Sequence, residues 1–135
     1  MWTATASIET AASPQAVWRL FEDVAGWSAW NAGIERIELH GPFATASTFS
    51  MQPPGMAAFT SPLLEVRADA GFTDETLIEG TRFVVSHALE PLPAGGSRIT
   101  YGTQVTGPAA AEMGPLVTAD FPDVLAALKA RAERA

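Results

Sequence analysis

SPQAVWRLFEDVAGWSAWN, from Ser13 to Asn31, reads as one capped amphipathic helix running into a pair of tryptophans. The Ser13 hydroxyl suits an N-cap and Pro14 the first helical position, where its missing N–H costs nothing. Val17, Leu20, Phe21 and Val24 recur at i, i+3, i+4 and i+7, the stripe of a helix with one buried face. Gly26 is expected to stop the helix. Trp27 and Trp30 follow at once, so two large amphipathic rings stand where the helix turns back towards the surface it covers, as a lid over a pocket would.

Outward from this helix, the chain divides into short strands. Thr3–Ala11 precedes it, rich in Thr, Ser and Ile. Ile34–His40 follows, with Ile37 and Leu39 on one face and Arg36, Glu38 and His40 on the other, before a Gly41-Pro42 turn. Thr45–Met51 ends at Pro53-Pro54-Gly55. Phe59–Ala68, Phe72–Glu79, Arg82–Glu90 and Arg98–Thr106 complete seven strands, separated by Ala70-Gly71, Gly80 and Pro93-Ala94-Gly95-Gly96. The tail is helical again: Met113, Val117, Phe121, Val124 and Leu128 form a stripe, with Pro115 expected early in it. Pro122 lies inside that stripe and predicts either a kink or a separate last helix starting near Asp120. Lys129, Arg131 and Arg134 complement the helix dipole.

Composition narrows the function classes. The 135 residues are 47% hydrophobic, enough for one domain with a sizeable core, so residues 1–135 are expected to form a single unit. A net charge of −7, with eight Lys and Arg scattered along the chain, offers no basic stripe for nucleic acid or an anionic membrane surface. No apolar run is long enough to span a bilayer, and MWTATASIET lacks the pattern of a secretory signal, so a cytoplasmic address is expected. With no cysteine, thiolate chemistry and disulfides are excluded. Two histidines, one of them on a water-facing strand side, give no metal-ligand cluster, and no cofactor is expected. There is neither a G-x-x-x-x-G-K-[ST] phosphate loop nor a G-x-S-x-G nucleophile turn. Asp74 and Glu75 alternate to opposite faces, which argues against a paired-carboxylate site.

Strand, helix, six strands and a terminal helix is an α+β order in which a seven-stranded curved antiparallel sheet wraps around the long C-terminal helix. SPQAVWRLFEDVAGWSAWN followed by IERIEL, and HALEPLPAGGSRITYGTQVTGP before the tail, resemble the START-related polyketide cyclase/dehydrase and lipid-transport superfamily (SRPBCC), over nearly the whole chain. The resemblance implies the helix-grip, START-like fold and a cavity between sheet and terminal helix for a small apolar or aromatic molecule. Its members include lipid carriers, hormone receptors and aromatic polyketide cyclases, and the chain is expected to be a monomer or homodimer.

Pairing the strands by their turns places Asp74 opposite His87 and His87 opposite Thr103, with Tyr101 one diagonal away. Two accounts of this cluster stay open. In one, Asp74 holds one imidazole nitrogen and leaves the other for a ligand or for proton abstraction, with Tyr101 polarising a carbonyl. In the other, the polar groups simply satisfy one another, because an unpaired buried group costs about 1–3 kcal/mol. Trp27, Trp30 and Phe49 join Asp74, His87, Tyr101 and Thr103 as the expected wall of the cavity. Trp2 and Trp18 are read as structural anchors, and the turn Met51–Met56 as either a plain hairpin loop or part of the cavity's entrance.

Overall fold

The computed structural model describes residues 1–134; the final residue of the expected unit, Ala135, lies outside the described residues. Seven strands form one antiparallel sheet: β1 Trp2–Thr10, β2 Arg36–His40, β3 Thr48–Gln52, β4 Phe59–Arg67, β5 Gly71–Ile78, β6 Thr81–Pro91 and β7 Ser97–Thr106, in the order β1-β7-β6-β5-β4-β3-β2. A register shift between Leu63 and Glu65 in β4 supplies the local bend that a curved sheet needs. Burial alternates along β1 and β7, so Ile8, Ile99, Tyr101, Thr103 and Val105 face inwards while Glu9, Arg98 and Gln104 face water.

Helix α1, Pro14–Glu22, begins as its sequence dictates, with the Ser13 hydroxyl accepting from the Ala16 N–H at 3.1 Å and Pro14 in the first turn. It ends four residues before Gly26. Gly26 instead lies inside a 3-10 segment, Val24–Ala29, and its N–H donates to the Asp23 carbonyl at 2.9 Å. The cause is Trp27, whose indole N–H donates to the Phe21 carbonyl at 2.8 Å and so takes an acceptor from the end of the helix. The chain tightens there, and a Cβ at Gly26 would stand 2.6 Å from Asp23 Oδ2, so a larger residue requires the Asp23 carboxyl to swing aside.

The terminal stripe is divided between two helices, α2 Ala110–Thr118 and α3 Phe121–Arg134. Pro122 is the second residue of α3, where its lack of an N–H removes no intrahelical bond; the separate helix near Asp120 is the outcome. Pro115 is not an early residue but an interior one, on the exposed side of α2. Helix α3 buries Val124, Leu125, Leu128 and Ala132 against β1 and α1. Near its end Glu133 accepts from the Thr10 hydroxyl at 2.7 Å and the Ala11 N–H at 3.1 Å, tying α3 to the β1–α1 link. No helix among the described residues is long and apolar enough to cross a membrane.

The apolar interior separates into two clusters. The larger gathers α1, Trp27, Trp30, Phe49, Phe72, Ile99 and the buried face of α3, with Phe21 fully buried at its centre. The smaller joins Phe83, Val105 and Ala110 under Trp2, Met113 and Val117. Between them runs a row of the sheet that is partly polar, and this row is where the candidate site lies.

Candidate functional site

Cross-strand pairing sets the site, and the pairs differ from the expectation by two residues at both hairpins. Asp74 faces Val85, Phe72 faces His87, His87 faces Tyr101, and Thr103 faces Val85. The first shift arises at the β5–β6 turn, where Ile78 pairs with Thr81 across a two-residue loop. Glu79 and Gly80 have φ of 49° and 82°, the mirror-image turn whose twist matches antiparallel strands. Since side chains alternate with period two, a two-residue shift keeps every inward residue inward. Asp74 and His87 therefore share the inner face as diagonal neighbours, with Nε2 of His87 3.9 Å from Oδ2 of Asp74.

The imidazole is held by something other than Asp74. Its Nδ1 lies 3.2 Å from the Phe72 carbonyl oxygen, an acceptor only, so Nδ1 carries the proton and donates. That leaves Nε2 with a lone pair turned towards the carboxyl. Burial lowers the His87 pKa to about 3, the Phe72 hydrogen bond opposing the shift, while burial raises Asp74 to about 7. Near neutrality the contact is therefore between an uncharged imidazole and a carboxyl that readily keeps its proton. At 3.9 Å the two groups are too far apart for a direct hydrogen bond, so both retain capacity for another partner. Burial, and then the charge of Asp74, raise the Tyr101 phenol, which stays an O–H donor.

Thr103 completes the row. It is 3% exposed, points inwards between Val85 and Ala4, and its Oγ1 has no hydrogen-bond partner. Its neighbours Ala4, Ala6 and Val85 on the same face are only half-buried, so the strip between the two apolar clusters is incompletely covered.

The aromatic residues lie together as a packed array, not as the walls of a hollow. Phe72 stacks on His87 with centroids 3.9 Å apart and planes 8° apart, and Trp27 stacks on Phe72 at 5.4 Å. Tyr101 meets His87 edge-on at 4.5 Å and Phe121 at 5.4 Å. Phe49 and Trp30 flank Trp27 at 5.6 and 6.2 Å. Trp27, Trp30 and Phe49 are thus core residues, and the indole N–H of Trp27 is already committed to the Phe21 carbonyl. The space expected beside His87 is taken by Phe72, Tyr101 and Phe21. Neither of two surface concavities, of about 540 and 370 Å³, is lined by Asp74, His87 or Tyr101.

Phe43 and Phe72 are the residues that sequence reasoning left out. Phe72 was legible as an inward residue of the same strand as Asp74. Phe43 sits in the turn after Gly41-Pro42, and its contacts with Trp18, Trp27 and Phe72, at 5.6, 6.3 and 5.2 Å, carry no periodic signal. Among the described residues no group of three His, Asp or Glu is placed to hold a metal ion.

Comparison with known proteins agrees with this architecture. No curated protein matches the chain by sequence. Among solved structures, MLL2253 of Mesorhizobium loti superposes with a TM-score of 0.75 at 16% identity, covering 98% of both chains. Norcoclaurine synthase of Thalictrum flavum gives 0.76 at 14% identity, over 99% of this chain and 87% of its own. The di-domain ARO/CYC protein StfQ of the steffimycin biosynthetic pathway gives 0.78 at 14% identity, over 98% of this chain and 50% of its own. At such identities the likeness is one of fold, the helix-grip of a curved sheet and C-terminal helix. The family model described as polyketide cyclase/dehydrase and lipid transport matches residues 1–133, and the chain accordingly belongs to that family.

Proposed function

We propose that this protein binds a small apolar or aromatic molecule whose polar group meets Asp74, His87 and Thr103 on the inner face of the sheet. The observation that carries this reading is Thr103 Oγ1, a buried hydroxyl without a partner, in the same row as the Asp74 carboxyl. A buried polar atom left unpaired costs about 1–3 kcal/mol, and a ligand hydroxyl or carbonyl would recover that cost. The half-buried Ala4, Ala6 and Val85 mark the side from which a ligand reaches the row. Because packed rings fill the space beside His87, the ligand's apolar part enters by displacing a ring, and the tryptophan fluorescence of the chain, to which Trp27 contributes, should report it.

The test is a fluorescence titration of the full chain with 1-naphthol, 2-naphthol and 1,8-anilinonaphthalene sulfonate, paired with native mass spectrometry. Saturable one-to-one binding is expected, weakened about 5- to 10-fold in Thr103→Val through the loss of one neutral hydrogen bond. No saturable uptake of any of the three, or equal affinity in the variant, would reject the assignment.

A second reading has its own supporting observation, the free Nε2 lone pair of His87 beside a carboxyl that keeps its proton near neutrality. One group accepts a proton while the other supplies one, the pairing that a cyclase/dehydrase-type enzyme needs, with Tyr101 polarising a carbonyl. Under that reading, turnover of a polyketone collapses in His87→Ala while the protein stays folded. Unchanged turnover removes His87 as the proton-transfer group.

A further inference from the structure

The Asp74–His87 pair presents a fixed pattern of donors and acceptors to whatever enters the inner row. His87 Nδ1 is 3.2 Å from the Phe72 carbonyl oxygen. A carbonyl accepts and never donates, so the backbone of β5 fixes the tautomer and leaves Nε2 an acceptor only. The ring is also held in place. Phe72 stacks on it at 3.9 Å with planes 8° apart and Tyr101 meets it edge-on at 4.5 Å, so the imidazole cannot exchange its two nitrogens without unstacking.

The carboxyl faces the Nε2 lone pair across a gap of definite size. Asp74 Oδ2 and Nε2 are 3.9 Å apart, too far for a direct hydrogen bond. An oxygen about 2.8 Å from each subtends an angle of about 90° between them, so one hydroxyl spans the gap. Burial raises the Asp74 pKa to about 7, so at pH 6 the carboxyl has a proton to donate. Asp74 O–H then donates to the hydroxyl oxygen, and the hydroxyl O–H donates to Nε2. Both side chains keep some accessible surface, 11% for His87 and 13% for Asp74, and Val85, between Asp74 and Thr103, is half-buried too.

Other oxygen groups fail one of the two contacts. A ketone, ester or ether oxygen accepts from Asp74 but gives Nε2 no donor. A carboxylate brings negative charge to the Nε2 lone pair with no cation to offset it. Arg82 and Arg98, on β6 and β7, are exposed and pair with Glu75 and with Glu9 and Glu90. Thr103 does not discriminate, because its hydroxyl either donates or accepts. We propose that the Asp74–His87 pair selects a neutral hydroxyl, the O–H of a phenol or an alcohol, over a carbonyl, an ether or a carboxylate. This specificity rests on the binding reading given above and narrows its ligand class.

The experiment is isothermal titration calorimetry of the full chain at pH 6 with 2-naphthol, 2-methoxynaphthalene, 2-acetylnaphthalene and 2-naphthoate. The naphthol should bind about 10-fold or more tightly than each of the others, the effect of one hydrogen bond to a buried acceptor. Its methyl ether is the more apolar molecule, so hydrophobic transfer alone would favour the ether. In nitrogen NMR of the labelled chain, saturation with 2-naphthol should move the unprotonated Nε2 resonance of His87 upfield, as accepting a hydrogen bond does, and 2-methoxynaphthalene should not. The exposed His40 serves as the internal control. His87→Phe keeps a ring against Phe72 without the acceptor, and should bind the naphthol and its methyl ether within about 2-fold of each other.

The ligand series on the unaltered chain needs no variant to fold. Equal affinity for the naphthol and its ether, an unmoved Nε2 resonance at saturation, or a hydroxyl preference that persists in His87→Phe overturns the proposal and leaves the binding reading standing. Uptake of none of the four overturns both.

Discussion

Folding moves a proton within the Asp74–His87 pair, and the pH dependence of stability can detect that transfer. In the unfolded chain between about pH 4 and 6.5 the carboxyl is ionised and the imidazole charged. In the folded chain Asp74 keeps its proton up to about 7 and His87 stays neutral down to about 3, both through burial. The folded pair thus binds as many protons as the unfolded pair, and contributes no slope in that window. Each group alone would. Asp74, raised on folding, contributes stability that is complete at low pH and is lost as the pH climbs through about 7. His87, depressed on folding, contributes stability that is complete above its unfolded value and is lost as the pH falls towards about 3. Asp74→Asn should therefore gain stability relative to wild type with rising pH, by up to about 1.4 kcal/mol per unit between pH 4 and 6.5. His87→Gln should lose a similar amount, so the two variants diverge by about 5 kcal/mol over two units. Urea denaturation at pH 4.5, 5.5 and 6.5, each variant against wild type, provides the measurement. Curves that run parallel to wild type for both variants would show that the pair folds with its unfolded protonation, and the neutral site would be refuted.

Thr103→Val exchanges an unpartnered buried hydroxyl for a methyl group of similar size, and should stabilise the ligand-free protein by about 1 kcal/mol. At ~2.1 cal/mol/K per residue, that raises the melting temperature by roughly 3–4 °C in scanning calorimetry; a lower value would mean that the hydroxyl has a partner in solution. Phe21→Ala empties the centre of the larger cluster and should cost about 3–5 kcal/mol by chemical denaturation, whereas a loss below about 1 kcal/mol would contradict its central packing. Ser13→Ala removes the cap of α1 and should cost about 1 kcal/mol, with no change in the m-value.

The elements were legible because each rests on a local signal. Alternation placed all seven strands to within a few residues, and Ser13-Pro14 placed the start of α1. The register was not legible. Glu79 adopts a left-handed φ although Asn, Asp or Gly is the usual occupant there, so nothing in the sequence moved the tight turn expected at Gly80 one residue back, to Glu79-Gly80. The inner row survived that error through parity: a shift of two exchanges Asp74's partner from His87 to Val85 but leaves both on the same face. What no pattern carries is the filling of space. Whether a curved sheet encloses a hollow depends on ring volumes meeting from distant segments. Phe43, in a turn without periodicity, closes on Trp27 and Phe72 from such a distance. The exchange of orienting group at His87 was hidden for a similar reason, because the acceptor is the Phe72 backbone carbonyl and side-chain chemistry does not reveal it.

Phe72 lies between Trp27 on one side and His87 on the other, three rings in series with successive interplanar angles of 25° and 8°. Any event that reorients or charges the imidazole perturbs the middle ring, and through it the environment of the buried Trp27 indole. The polar row consequently comes with its own optical gauge, readable in the native chain without a dye.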